Sequence, residues 1–111
     1  MLITSRSISN CRILNLNGRI VYGDNTDALR SAVQEAVSQS PRKVVLNLSN
    51  VPYMDSLGIG ELIRSYNYAK EHGNKLVLTN IPSRIKYQLT IVKLNTVIEN
   101  FDTEEMALAS A

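Results

Sequence analysis

The sequence predicts an α/β fold, a small mixed and mostly parallel sheet of four to five strands with helices packed on it. Three observations lead to this prediction. Short β-branched segments alternate with amphipathic helical ones. Residues 43–48 are almost wholly apolar, which is typical of a strand covered on both faces. The N-terminal residues alternate like a hairpin, which adds an antiparallel pair. With 111 residues, 44% of them hydrophobic, we expect one domain over residues 1–111.

The N-terminal part of the chain is predicted to form two strands and a helix. Residues 2–8 and 12–16 alternate in polarity, and Ser9-Asn10 supplies a turn between them. A helix follows, because apolar residues recur at spacings of three and four between 29 and 37. The stretch Gly23-Asp24-Asn25-Thr26 before it offers a helix cap.

The rest of the chain repeats the alternation of strand and helix. Strand 43–48 leads to a second helix, which Gly73 ends in the left-handed conformation. A short strand over 75–79 and a helix over 83–92 come next, and an edge strand is predicted over 96–98. A last short helix is predicted to follow, and the residues at its start resemble a capping box, with Asp102 as the cap and Glu105 at the third helical position.

Composition excludes several function classes. The net charge is +2, with twelve basic and ten acidic residues. The basic residues are scattered and not interleaved with aromatic ones, so we expect no direct nucleic-acid contact. No stretch approaches the ~18 apolar residues of a membrane span, and the first residues lack the apolar core of a signal peptide. Cys11 is the only cysteine, and we expect it to be buried filler in a cytoplasmic protein.

The candidate site is the stretch YMDSLGIGELI, residues 53–63, where a buried strand meets a helix. Function in open α/β sheets gathers at the carboxyl ends of strands, where the following helix presents its positive end. Four interpretations of Asp55-Ser56 compete. The pair could simply cap the helix, start a nucleotide-binding loop, carry a nucleophile, or be phosphorylated. Capping by one of the two residues is compatible with any of the other roles.

Two of these interpretations meet specific obstacles. A dinucleotide fingerprint would need a third glycine at Ile63, and no P-loop lysine follows the glycines. A nucleophilic elbow would need glycine at Met54. The only histidine, His72, would lie about 24 Å from Ser56 along the helix and could not act as its base. We therefore predict no enzyme activity. Phosphorylation stays open, because a helix start tolerates added negative charge.

The stretch VVLNLSNVPYMDSLGIGELI, residues 44–63, resembles the signature of the STAS domain in its anti-sigma-factor antagonist form. The pattern is an apolar strand, a short loop, and Asp-Ser-x-Gly opening a helix. The resemblance covers essentially the whole chain, because the other segments also occur in family order: the hairpin, Gly18, HGNKLVLTNI and FDTEEMALAS. The resemblance implies a small sheet of four or five strands with helices on it.

The resemblance also implies a switch. In such antagonists the serine after the aspartate is phosphorylated, which is Ser56 here. The unmodified form binds an anti-sigma factor that is also a serine kinase and so frees a sigma factor. The kinase uses its own ATP to phosphorylate the antagonist, and a PP2C-type phosphatase resets it, so no cofactor is expected in this chain. The residues expected to contact the partner are Tyr22, Asp24, Met54, Asp55, Leu57, Gly58 and Ile59, with a core position as the alternative for Met54.

Two positions depart from the family pattern. Leu57 stands where the family often has serine or threonine, which adds an apolar group to the contact surface. The family usually has an aspartate in the segment after Gly18. Here Asp24 takes that place, and the segment between Gly18 and Asp24 has an apparent insertion of one residue. Because STAS subunits also serve as scaffold or accessory parts of signalling and lipid-transport assemblies, a role without kinase control stays open as the alternative.

Overall fold

Five strands and four helices follow one another in the predicted order. The computed structural model describes residues 1–111 throughout. The strands are β1 (Leu2–Ile8), β2 (Cys11–Asn17), β3 (Lys43–Asn50), β4 (Leu76–Thr79) and β5 (Asn100–Phe101). The helices are α1 (Asp24–Ser38), α2 (Ser56–Glu71), α3 (Ser83–Ile91) and α4 (Glu104–Ala109). No helix is long and apolar enough to cross a membrane.

The strands form one sheet in the order β1-β2-β3-β4-β5. The β1–β2 pair is antiparallel, and the other three pairs are parallel. The mixed, mostly parallel sheet predicted from the sequence is therefore confirmed. Ser9 and Asn10 both adopt positive φ angles, 52° and 62°, which is the two-residue turn whose twist matches a hairpin.

The sheet is covered on both faces, but unequally. The larger hydrophobic cluster contains 20 buried residues and includes side chains from α1, α2 and α3. The smaller cluster joins Ile13, Val45 and Val77 to Ala107 of α4. In β3, Val44 and Val45 point to opposite faces and both are fully buried, because a central parallel strand needs apolar residues on both sides.

The prediction of an edge strand over 96–98 was wrong. Leu94–Thr96 forms a 3₁₀ turn, and the edge strand is β5 at Asn100–Phe101. Burial explains the shift, since Leu94 and Ile98 both reach the core and the Ile98 amide donates to the Leu94 carbonyl at 2.9 Å. A turn of helix brings the two side chains within about 6 Å of each other along the chain, whereas an extended segment would separate them by about 13 Å.

The cap of α4 also differs by one residue from the prediction. Thr103, not Asp102, is the cap, and its hydroxyl accepts a hydrogen bond from the Met106 amide at 3.2 Å. Lys43 closes the other end of α4. Its ammonium is buried and donates to the carbonyls of Ala107 and Ser110, and burial lowers the pKa of Lys43.

Glu104 joins α4 to the sheet through one ion pair and one hydrogen bond from a neutral amide. Its carboxylate accepts hydrogen bonds from Arg6 of β1 at 2.7 Å and from Asn47 of β3 at 2.6 Å. Burial by itself favours the protonated acid, but these two hydrogen bonds outweigh it and hold the pKa of Glu104 below its ordinary value of 4.5. The carboxylate form is therefore the one that stabilises the fold.

We expect Glu104→Gln to lower the free energy of unfolding at neutral pH by about 1.5–3 kcal/mol, the range for hydrogen bonds to charged groups. A folded pKa below the unfolded one gives stability that is present above pH 4.5 and is lost as pH falls through the folded pKa. Urea unfolding at a series of pH values measures both effects. A variant whose stability falls as steeply in acid as that of the native chain would contradict the assignment.

Candidate functional site

The loop between β3 and α2 is fixed to the segment that follows β2. Ile20 forms a parallel bridge with Met54. The Ile20 amide donates to the Tyr53 carbonyl at 3.0 Å, and the Asp55 amide donates to the Ile20 carbonyl at 3.3 Å. From α3, the Gln88 amide nitrogen donates to the Met54 carbonyl at 2.9 Å. The backbone before Ser56 is therefore held from two sides.

Asp55 caps α2 and also ties two loops together. One carboxylate oxygen accepts from the Gly58 amide at 2.6 Å, and the other accepts from the Tyr22 amide at 3.2 Å. The first contact satisfies an amide that the helix leaves without a partner. The second fixes the segment before α1 against the start of α2. Both oxygens of Asp55 are thus engaged within the chain.

Gly58 allows α2 to begin so close to Ile20. A Cβ built at Gly58 would lie 1.9 Å from the Ile20 carbonyl oxygen, far inside contact distance. The residue is buried, so its expected part in partner contact is corrected: it brings two backbone segments together. Gly60, one half-turn on, has no atom within 4 Å of such a Cβ.

Ser56 is the first residue of α2 and lies on the surface. Its hydroxyl makes no hydrogen bond within the chain, and the amides of Ser56 and Leu57 have no acceptor there. The hydroxyl therefore lies free at the positive end of a 16-residue helix whose first turn contains no acidic residue. His72 is the C-terminal cap residue at the opposite end of α2, far from Ser56. The chain contains no cluster that could hold a metal ion.

The predicted contact residues divide between surface and core. Tyr22 and Leu57 are exposed, with 74% and 51% of their surface accessible. Asp24 is exposed at the start of α1. Met54 is fully buried, which corrects its assignment as a contact and leaves the core position. Ile59 is half-buried against the larger cluster.

A charged pocket beside the serine was not anticipated from the sequence. It measures about 180 Å³ and is lined by Tyr22, Leu57, Arg30, Glu61 and Arg64, among others. Glu61 is 1% exposed, and its carboxylate accepts from Arg30 of α1 at 2.5 Å. That hydrogen bond raises the pKa of Arg30.

Only the packing of α1 on α2 reveals this pair. Residues 30 and 61 are distant in sequence, and nothing in either local pattern marks them as partners. The position of Glu61 on α2 does indicate that it is buried, because it lies on the same helix face as the buried residues Gly58, Leu62 and Ser65. An acidic residue on a buried helix face needs a cationic partner, and α1 supplies it.

We expect Gly58→Ala to destabilise the chain by about 1–3 kcal/mol or more, because the added methyl group would collide with fixed backbone. Gly60→Ala is the matched control in the same helix. It should stabilise the chain by about 0.5–1 kcal/mol, since alanine is the better helix former and the space is open. Thermal and urea unfolding measure both. Equal effects of the two substitutions would contradict the close approach of α2 to Ile20.

The fold and the site together define a small α/β module with a free serine hydroxyl on a rigid loop-helix junction. The chain belongs to the STAS domain family, whose model matches residues 3–107. Among curated relatives, it is 25% identical over 97 residues to an anti-sigma F factor antagonist of Paenibacillus polymyxa, covering 86% of this chain and 82% of that protein.

Two solved structures illustrate how widely the same fold is used. A sulfate transporter family protein of Wolinella succinogenes shares 21% identity, with a TM-score of 0.80 over 94% of this chain and 86% of that one. The Bacillus cell fate determinant SpoIIAA, in its phosphorylated form, shares 16% identity, with a TM-score of 0.71 over 96% of each chain. At these identities, the likeness extends to the fold.

Proposed function

We propose that this protein is an anti-sigma-factor antagonist controlled by phosphorylation at Ser56. The unmodified form binds an anti-sigma factor that is a serine kinase, and a sigma factor is released. Phosphorylation of Ser56 ends the binding, and a PP2C-type phosphatase restores it. The observation that carries the proposal is the free, exposed hydroxyl at the first position of α2, in a family with a relative named as an antagonist.

The site can accept a phosphoryl group without a change of fold. A phosphoserine adds about −1.5 to −2 charges, and the positive end of α2 stabilises negative charge there. The free amides of Ser56 and Leu57 lie in the same turn. Asp55 is already engaged by the amides of Gly58 and Tyr22, so the loop has little freedom to rearrange. The effect of the modification is therefore a changed surface.

The surface around the serine is suited to a protein partner. Leu57 and Tyr22 offer exposed apolar and aromatic area in the lining of the pocket that also contains Arg30 and Arg64. Aromatic and arginine side chains supply much of the binding energy in protein interfaces. A doubly charged phosphate next to Leu57 would have to be desolvated on binding, which opposes the complex. This cost of desolvating the phosphate is what weakens the complex after phosphorylation.

We expect Ser56→Ala to bind the kinase as the native chain does and to resist modification, whereas Ser56→Asp should bind at least about tenfold more weakly, or ~1.4 kcal/mol. Each anti-sigma factor serine kinase of the source organism is purified and titrated calorimetrically with the three proteins. Mass spectrometry after incubation with ATP then locates the phosphate. Modification at another residue by a kinase that binds would overturn the site assignment.

Ser83→Asp is the matched control for this experiment. Ser83 is also an exposed serine at the first position of a helix, α3, so the substitution adds the same charge at the same helix position. It should leave kinase affinity and phosphorylation unchanged. An equal loss of affinity for Ser56→Asp and Ser83→Asp would show a general charge effect and not a specific contact at Ser56.

A second candidate function is that of an accessory subunit without kinase control. It is supported by the likeness to the sulfate transporter family protein of Wolinella succinogenes. In that case Ser56→Ala and Ser56→Asp should assemble equally well with the larger complex in a co-purification experiment. Assembly that depends on the charge at residue 56 would exclude this candidate.

A further inference from the structure

Strand β1 forms one open edge of the sheet, because it pairs only with β2. The two-residue turn makes Ile8 and Cys11 a hydrogen-bonded pair, and such pairs recur at every second residue of an antiparallel ladder. The even-numbered residues of β1 therefore bond to β2. The backbone groups of Ile3, Ser5 and Ser7 point outward and have no partner.

This edge lacks the devices that usually prevent pairing with another strand. Natural edges are blunted by short length, proline, bulges or outward charges. The strand has seven residues, an unbroken register and no proline. Its one charged side chain, Arg6, is directed across the sheet to Asn15 and Glu104. The opposite edge, β5, is only two residues long.

Helix α1 leaves this edge accessible. A trough of about 390 Å³ lies between β1 and α1, lined by Ile3 and by the small side chains Ala28 and Ala32, among others. Small residues on α1 thus keep the helix from covering the strand from above. The trough therefore leaves open space beside the strand on that side.

We propose that β1 pairs with β1 of a second copy of this chain, antiparallel about a twofold axis through Ser5. In that register Ile3 lies opposite Ser7 of the second copy, and Ser5 lies opposite Ser5. These are the residues with free outward backbone groups, so about six hydrogen bonds form, two for each facing pair. The sheet then continues without a break from one copy to the other.

The side chains of β1 favour its own copy over an unrelated strand. Leu2 and Ile8 are 65% and 39% exposed, and the twofold register places Leu2 opposite Ile8 of the second copy at both ends. Thr4 lies opposite Arg6, so no like charges face each other, and Glu104 already balances Arg6. Apolar cross-strand pairs stabilise a sheet, and facing like charges would weaken it.

This pairing does not involve the surface of Ser56. Ser56 begins α2 after β3, which lies two strands from the free edge. Because the strands of the two copies run in opposite directions, the two Ser56 sites would lie at opposite ends of the joined sheet. Both remain accessible, and the inference stands or falls independently of the proposed function.

Cross-linking tests the register directly. Ser5→Cys places two thiols opposite each other across the axis, about 5.5 Å between Cα atoms and within disulfide range. Ser7→Cys is the matched control, since its two copies lie four residues apart along the strands, at about 13 Å. Cys11 is fully buried and common to both variants. Mild oxidation should give a covalent dimer with Ser5→Cys and little with Ser7→Cys.

Sedimentation equilibrium tests the hydrogen bonding. The native chain should shift with concentration from 12.4 kDa to twice that mass. Ser5→Pro removes an outward amide that β2 does not use, and proline is tolerated at such edge positions. It should remain monomeric, whereas Ser5→Ala, which retains the amide, should dimerise as the native chain does. Circular dichroism checks that each variant is folded.

Three results would overturn the inference. They are a native chain that stays monomeric up to about 1 mM, equal cross-linking of Ser5→Cys and Ser7→Cys, and a folded Ser5→Pro variant that still dimerises. If Ser5→Pro does not fold, the cysteine pair decides alone. Changes at Ser56 should leave dimerisation unaffected, so this experiment separates the pairing from phosphorylation.

Discussion

The contact between the first turn of α2 and the backbone at Ile20 is the constraint on which the site depends. It requires glycine at position 58, because a side chain there would occupy the Ile20 carbonyl oxygen. It brings Asp55 close enough to accept hydrogen bonds from the amides of Tyr22, before α1, and of Gly58, in α2. The loop is thereby fixed at Asp55 and Gly58. Ser56 and Leu57 lie between them, and Ser56 presents the free hydroxyl.

A rigid junction with one free hydroxyl suits a switch that works by surface charge. Reorganising the loop would break the hydrogen bonds of Ile20, Asp55 and Gln88, so the proposed modification at Ser56 would alter the surface and leave the scaffold intact. The helix end that makes the site tolerant of phosphate comes from the same geometry, since the cap uses the Gly58 amide and leaves those of Ser56 and Leu57 free.

Charged residues link the layers of the fold around this site. Glu61 of α2 is buried and paired with Arg30 of α1, while Glu104 of α4 joins Arg6 and Asn47 on the other face of the sheet. A buried carboxylate without its partner is strongly destabilising. The Glu61–Arg30 pair therefore sets the relative positions of α1 and α2, which form the walls of the pocket beside Ser56. Glu104 fixes α4 to the sheet.

The sequence by itself determined the order of elements, the mixed sheet and the position of the serine at a strand-helix junction. It could do so because periodicity, turn residues and helix caps act over a few residues. It misplaced the last strand, where burial of Leu94 and Ile98 outweighed local preference, and it placed the cap of α4 one residue early, at Asp102 in place of Thr103. Only the tertiary structure decided between core and contact for Met54. It alone showed that Gly58 must be glycine, that Glu61 contacts Arg30 and that β1 has an open edge. Each of these depends on contacts between segments far apart in the chain, which no local pattern encodes.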